Sequence, residues 1–165
     1  QFYCFGDYGR NLNARAEFEK IKNDIESTTD DLDWLTSRFI SMGYLAVVDY
    51  DKVNVSLGNV SDEFIWQDVS EFKHLFLDHN EILDMALVKL REYLDSKLIA
   101  FNLLPETFTM SEIQQVYETI LGTSIVRTNF QRKILSLDIL ERIEKKYSGG
   151  AHKAPYLYRL KNNLE

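Results

Sequence analysis

Thr109-Met110-Ser111-Glu112 and Thr128-Asn129-Phe130-Gln131 stand 19 residues apart, and beyond them Ser148-Gly149-Gly150-Ala151-His152-Lys153-Ala154-Pro155 separates two strand-like runs, Leu140 to Tyr147 and Tyr156 to Leu160. In each quartet a threonine is followed three residues later by Glu or Gln. At that spacing the hydroxyl accepts from the third helical amide and the long side chain reaches back to the cap amide. Two capped helices followed by a hairpin with a glycine-rich basic tip predict a winged helix, the helix-turn-helix variant that places its second helix in a DNA major groove. Within the first helix Ile113, Val116, Tyr117, Ile120 and Leu121 form one apolar stripe, and Gly122 is its expected stop.

The second helix divides into two faces. Phe130, Ile134 and Leu137 should point to the core, while Asn129, Arg132, Lys133 and Ser136, at i, i+3, i+4 and i+7, should point outward. Arg and Lys can pair with guanine edges, and Asn and Gln with adenine, so Arg127, Thr128, Asn129, Gln131, Arg132 and Lys133 are the candidates for reading or gripping DNA. Lys146, Gly149, Gly150, His152 and Lys153 suit phosphate contacts at the hairpin, because cations neutralise charge and glycines let backbone amides come close. A polar helix face or a basic hairpin alone is more often simply solvated. Their succession in one short module is what points to nucleic acid.

Charge agrees with that placement. Residues 123–165 carry 9 Lys+Arg against 4 Asp+Glu, whereas residues 1–122 carry 10 against 22, giving a chain of net −7 with a basic end. Such a balance excludes a protein coated in nucleic acid and allows one localised footprint. At 165 residues and 45% hydrophobic, the chain can bury one substantial core or two small ones. The single cysteine, Cys4, fits a small buried apolar residue in a reducing compartment, and no run approaches a membrane span, so the expectation is a cytoplasmic protein. Gln1 opens directly inside the strand-like run Phe2-Tyr3-Cys4-Phe5, which predicts a fragment whose front lies upstream.

The upstream half reads as α/β. Gly6-Asp7-Tyr8-Gly9-Arg10-Asn11 has turn chemistry; residues 16 to 37 form a helical excursion with Phe18, Ile21 and Ile25 at helical spacing; Phe39 to Tyr50 is an apolar run suited to a buried central strand, with Lys52 to Leu57 as its partner and Glu63 to Trp66 as a further strand. Asp78-His79-Asn80-Glu81 fits a capping box that opens a long helix faced by Ile82, Leu83, Ala86, Leu87, Leu90, Tyr93 and Leu94, and Pro105-Glu106 marks a junction. No nucleophile and base stand at a recognisable spacing, so no catalytic residue is assigned. His74, His79 and His152 lack companion ligands, and Asp30, Asp31 and Asp33 read as a solvated loop, so no metal site is assigned either. Arg10 and Arg38, with aromatics nearby, are candidates to line a pocket for a phosphorylated sugar.

Leu103 to Thr109, Val116 to Gly122, Asn129 to Lys133 and Gly149 to Lys153, taken in order, resemble the C-terminal winged helix of the Nudix-related transcriptional regulators. Phe5 to Arg10, Arg38 to Tyr44, Trp66 and Phe76 to Leu83 are similar to the back half of that family's Nudix-like effector domain; residues 16 to 37 look like an insertion. The resemblance implies the C-terminal part of a Nudix-like α/β/α sandwich over residues 1–96 and a winged helix-turn-helix domain over 97–165. Family members repress genes of NAD metabolism or control sugar-use genes. The implied protein is therefore a ligand-responsive transcriptional regulator, a homodimer on operator DNA, sensing ADP-ribose, a related nucleotide sugar or a sugar-derived effector. The family's Nudix box is absent from these residues. The alternative is a Nudix hydrolase of ADP-ribose or related diphosphates with an accessory winged helix, for which Mg²⁺ would be the cofactor only if an intact box precedes Gln1.

Overall fold

Elements form in the order β1 (Tyr3–Phe5), α1 (Ala14–Ile21), β2 (Ser41–Gly43), α2 (His79–Ser96), β3 (Phe108–Thr109), α3 (Met110–Leu121), α4 (Arg127–Ser136), β4 (Leu140–Lys145) and β5 (Tyr156–Leu160), with short 3-10 turns at Tyr50–Lys52, Val69–Glu71 and Ile99–Leu103. The structure, a computed structural model, describes residues 1–10, 13–21, 33–34, 36–58, 63–146 and 154–161. They fall into two units, Gln1–Ala46 with Asn54–Lys89, and Val47–Val53 with Leu90–Glu165.

In the first unit β1 and β2 pair antiparallel, Tyr3 opposite Gly43 and Phe5 opposite Ser41. Gly43 makes room for the rings there: a Cβ would lie 2.7 Å from the Phe2 ring and 3.0 Å from the Phe5 ring, so those rings would have to shift. The pairing turns Phe5 inward and leaves Cys4 exposed, which corrects the expectation of a buried thiol. The alternation of a strand dictates this, since neighbours on one strand face opposite sides. Ala14 and Phe18 of α1 are buried one turn apart, with the Phe18 ring edge-on to Phe76 at 5.0 Å. Helix α1 thus supplies the start of the expected excursion, two residues earlier than read. Residues 22–32 and 35 of that excursion lie outside the described residues.

Three strand readings fail. The apolar run from Phe39 to Tyr50 pairs only at Ser41–Gly43, and Ile40, Tyr44, Val48 and Tyr50 are exposed. A buried central strand needs hydrogen-bonded neighbours on both edges. Among the described residues β2 has only the three-residue β1. Lys52 to Leu57 follows a 3-10 turn held by the Asp49 carboxylate, which accepts from the Asp51 amide, and it continues without regular structure. The described residues from Glu63 to Trp66 are irregular and exposed as well.

Helix α2 begins where Asp78 meets Arg10. Both Asp78 oxygens accept from the Arg10 guanidinium, whose third nitrogen donates to the Phe5 carbonyl at 2.8 Å, and the two side chains are 5% and 10% exposed. The sequence suggested Asp78 as a helix cap; its carboxylate instead balances a buried cation. The last turns of α2 belong to the second unit. There Leu94 joins Ala100, Phe101, Phe108, Met110, Ile113, Tyr117, Phe130, Ile134, Ile139 and Tyr158 in one core.

That core organises a winged helix. β5 lies between β3 and β4, both antiparallel to it, so the hairpin β4–β5 is stitched to the strand that opens α3. Glu141 faces Arg159 and Arg142 faces Tyr158, after which one extra residue on β4 bulges the ladder before Lys145 reaches Tyr156. Helix α3 has the expected capping box: the Thr109 amide donates to Glu112 Oε2 at 2.5 Å and the Glu112 amide to Thr109 Oγ1 at 3.2 Å. Gly122 closes it at φ 69°, its amide donating to the Glu118 carbonyl at 2.9 Å. The first helix and its two ends follow the sequence reading.

Candidate nucleic-acid interface

The turn from α3 into α4 sets the aim of the second helix. Glu118 reaches over it: its Oε1 accepts from the Ile125 amide at 2.7 Å and from Gln114 Nε2 at 3.0 Å, while Gln114 Nε2 also donates to the Ile125 carbonyl at 3.0 Å. Both backbone groups of Ile125 are thereby satisfied by one i, i+4 pair on α3. The Gln114 and Ile125 donors hold the Glu118 carboxyl below the ordinary range. Neither residue was singled out from the sequence; the signal was an acceptor and a donor one turn apart, next to the helix stop.

This clamp corrects the start of the second helix. The sequence placed a cap at Thr128, whereas α4 starts at Arg127 with Val126 at the cap position and no side-chain cap bond. With Ile125 fixed by α3, the Val126 carbonyl already accepts from the Asn129 and Phe130 amides at 3.0 Å. Thr128 therefore lies within the first turn. Phe130 and Ile134 are buried as expected, the Phe130 ring edge-on to Tyr117 at 5.1 Å. Leu137 is not: it ends the helix at 40% exposure.

Arg127, Thr128, Asn129, Arg132, Lys133 and Ser136 are exposed together on α4, and Gln131 is half-buried. Their charges are not equally available. Arg132 Nη2 donates to Asn129 Oδ1 at 3.3 Å, and neither Arg127 nor Arg132 has an acidic partner among the described residues. Lys133, by contrast, places its ammonium 2.6 Å from Asp95 of α2 and 5.8 Å from the centre of the Tyr117 ring. Tyr117 is buried, with its hydroxyl donating to the Leu94 carbonyl at 3.3 Å; burial first, then the Asp95 charge, raises its phenol well above the ordinary range.

At the hairpin, the Lys146 ammonium lies 3.0 Å from Glu112 Oε1, and its amide donates to the Pro155 carbonyl at 2.8 Å. Partial burial works against the Glu112 carboxylate, but the Thr109 donors and Lys146 prevail and hold its pKa below the ordinary value. Gly149, Gly150, His152 and Lys153 lie outside the described residues. On β4, Arg142 and Lys145 flank the Tyr156 ring at 4.5 and 5.5 Å.

In this arrangement a buried, clamped helix pair carries a cationic outer face beside a two-stranded hairpin. A family model described as the NrtR DNA-binding winged helix domain matches residues 100–160. This segment is similar to that domain family. A curated relative, the ADPR responsive transcriptional repressor NtrR of Acinetobacter baylyi, is 25% identical over 122 residues, 73% of this chain and 48% of its own length. The crystal structure of Shewanella oneidensis NrtR matches over 98% of this chain and 63% of that one, with 23% identity and a TM-score of 0.60. A second, of Shewanella oneidensis NrtR complexed with a 27mer DNA, matches over 53% of this chain and 40% of that one, with 30% identity and a TM-score of 0.42. The chain spans about half the length of the curated relative. The fold is that of the first of these structures, an α/β unit followed by a winged helix, and the resemblance to the Nudix-related regulators drawn from the sequence is borne out.

In the first unit, Arg10 and Arg38 do line one cavity of about 220 Å³, with Asp7, Tyr8, Ser37 and Phe39. Their charges differ in availability. Arg10 is neutralised by Asp78, whereas exposed Arg38 donates through Nη2 to the Gly6 carbonyl at 2.8 Å. Among the described residues no group of three or more His, Cys, Asp or Glu is arranged to hold a metal ion, and no helix is long and apolar enough to cross a membrane.

Proposed function

We propose that this chain is the sensing and DNA-binding part of a transcriptional regulator that answers to ADP-ribose or a related nucleotide sugar. One observation carries the DNA-binding half: α4, anchored by Phe130 and Ile134 and aimed by the Glu118 clamp, leaves Arg127, Thr128, Asn129 and Arg132 outward with no carboxylate on either arginine among the described residues. Those four are the first contacts with an operator. Gln131 and Lys146 follow, Lys146 exchanging Glu112 for a phosphate, while Lys133 stays against Asp95 on the same face. Gly149, Gly150, His152 and Lys153 complete the grip from the hairpin. We assign residues 97–165 to the DNA-binding domain and 1–96 to the sensor, with the helical insertion at about 16–37. Two copies would present two reading helices to a palindrome.

Support for the effector comes from two sides. The curated relative is named as ADPR responsive, and the Arg10–Arg38 cavity offers Arg38 as the cation for a phosphate. In an electrophoretic shift on DNA from upstream of the protein's own gene, the chain should bind a discrete fragment, and added ADP-ribose should change the bound fraction. Equal retardation of unrelated DNA would refute operator recognition. An unchanged shift in the presence of millimolar ADP-ribose would refute the effector.

A further inference from the structure

Of all the cations on α4, only Lys133 faces a carboxylate among the described residues. That carboxylate, Asp95, follows directly on Leu94, which is 2% exposed and whose carbonyl accepts from the Tyr117 hydroxyl. Tyr117 in turn packs its ring on Phe130, one helical turn before Lys133. Asp95 is thus anchored by its neighbour in the core, with its carboxylate against Lys133 in the last turn of the reading helix. The pair itself is 51% and 52% exposed. An ion pair so open to solvent contributes little to the fold, so Asp95 can be changed without unfolding the domain.

A DNA phosphate presents the same chemistry as that carboxylate, an anionic oxygen that an ammonium can approach to hydrogen-bonding distance. We propose that Asp95 is an internal stand-in for a backbone phosphate, holding Lys133 out of the DNA contact and setting the affinity of the winged helix below what its reading helix can reach. This rests on the reading of α4 as the DNA-binding helix. Asp95 acts twice, because it occupies Lys133 and because its own negative charge sits beside the path of a polyanion. The weakness of the pair makes it a competitor and not a lock, so its removal grades affinity without switching binding on from nothing.

The test measures dissociation constants by fluorescence anisotropy on a labelled upstream duplex, across salt, for the full chain and for Asp95→Asn, Lys133→Gln and the double variant. Asp95→Asn should bind more tightly at low salt. Its log–log salt slope should steepen by about 0.9, one more phosphate neutralised. Over a fourfold rise in salt, the variant then loses about 3.5-fold more affinity than the parent. Lys133→Gln alone should keep the parental slope, and in its background Asp95→Asn should no longer steepen it. An unchanged slope for Asp95→Asn, or weaker binding with an unchanged melting curve, overturns the proposal. Should Asp95→Asn fail to fold, Lys133→Gln decides: a slope shallower by about 0.9 shows that Lys133 already holds a phosphate and overturns it. Failure of the parent to bind any duplex would sink the DNA reading itself, a result distinct from the others.

Discussion

Replacing Arg127 and Arg132 together by alanine should flatten the salt dependence of DNA binding without unfolding the domain. Both side chains are exposed on α4, and neither has an acidic partner among the described residues, so each is free to neutralise a phosphate. Their loss leaves the buried face of the helix, Phe130 and Ile134, intact. Each phosphate contact contributes about 0.9 to the slope of log K against log salt, so the pair should remove about 1.8. Over a fourfold rise in salt that is roughly a 12-fold smaller loss of affinity than in the parent. Lys161→Ala is the matched control, because that lysine already lies 2.7 Å from Asp138 and should leave the slope alone. Anisotropy titrations at four or five salt concentrations, with thermal melts of every variant, measure both quantities. A parental slope in the Arg127→Ala, Arg132→Ala variant, with a parental melt, would refute the assignment of α4.

Gly122→Ala should cost about 1–2 kcal/mol, the left-handed backbone at φ 69° being the whole cause, since no heavy atom lies within 4 Å of the added methyl; a fall of a few degrees in melting temperature is the readout. Arg10→Ala strands Asp78 at 5% exposure and should destabilise by about 3–5 kcal/mol, while Arg10→Met with Asp78→Leu should recover most of it by denaturant titration. Glu112 has its pKa lowered in the fold, so its contribution is present above the unfolded value of 4.5 and is lost as pH falls from there through the lower folded value. The melting temperature should decline over that acid window, and Glu112→Gln should remove part of the decline.

Legibility in the sequence followed local chemistry. Thr109, Glu112 and Gly122 are read correctly because capping and left-handed closure depend on residues within one turn. The buried pair Phe130 and Ile134 follows from helical period alone. Thr128 misled for the opposite reason: its capping spacing is genuine, but the Glu118 carboxylate and Gln114 fix Ile125 first, and a contact between helices overrides the local signal. Phe39 to Tyr50 misled because an apolar run states a wish for burial without stating what will cover it. Arg10 and Arg38 both line one cavity, yet the partner that neutralises Arg10 lies 68 residues away. No spacing rule reaches that far.

The same limit applies to the charge argument, where it matters most for function. A surplus of five cations over residues 123–165 suggests a broadly basic surface. In the fold, Lys133, Lys146, Arg159 and Lys161 lie against Asp95, Glu112, Glu141 and Asp138. Two of those acids, Asp95 and Glu112, come from the acidic part of the sequence before residue 123, so counting by segment could not cancel them. Arg127 and Arg132 on α4, and Arg142 and Lys145 beside Tyr156 on β4, are the cations of this segment without an acidic partner among the described residues. Among the described residues the electrostatic footprint is therefore narrower than composition implies, and it is concentrated on one helix and one strand. A narrow footprint gives weak affinity for unspecific DNA with a shallow salt dependence and leaves discrimination to the base edges that Asn129 and its neighbours can reach. Under the proposed function, that charge distribution lets the protein leave an operator on a modest change in free energy, of the order of 1–3 kcal/mol, supplied by an effector.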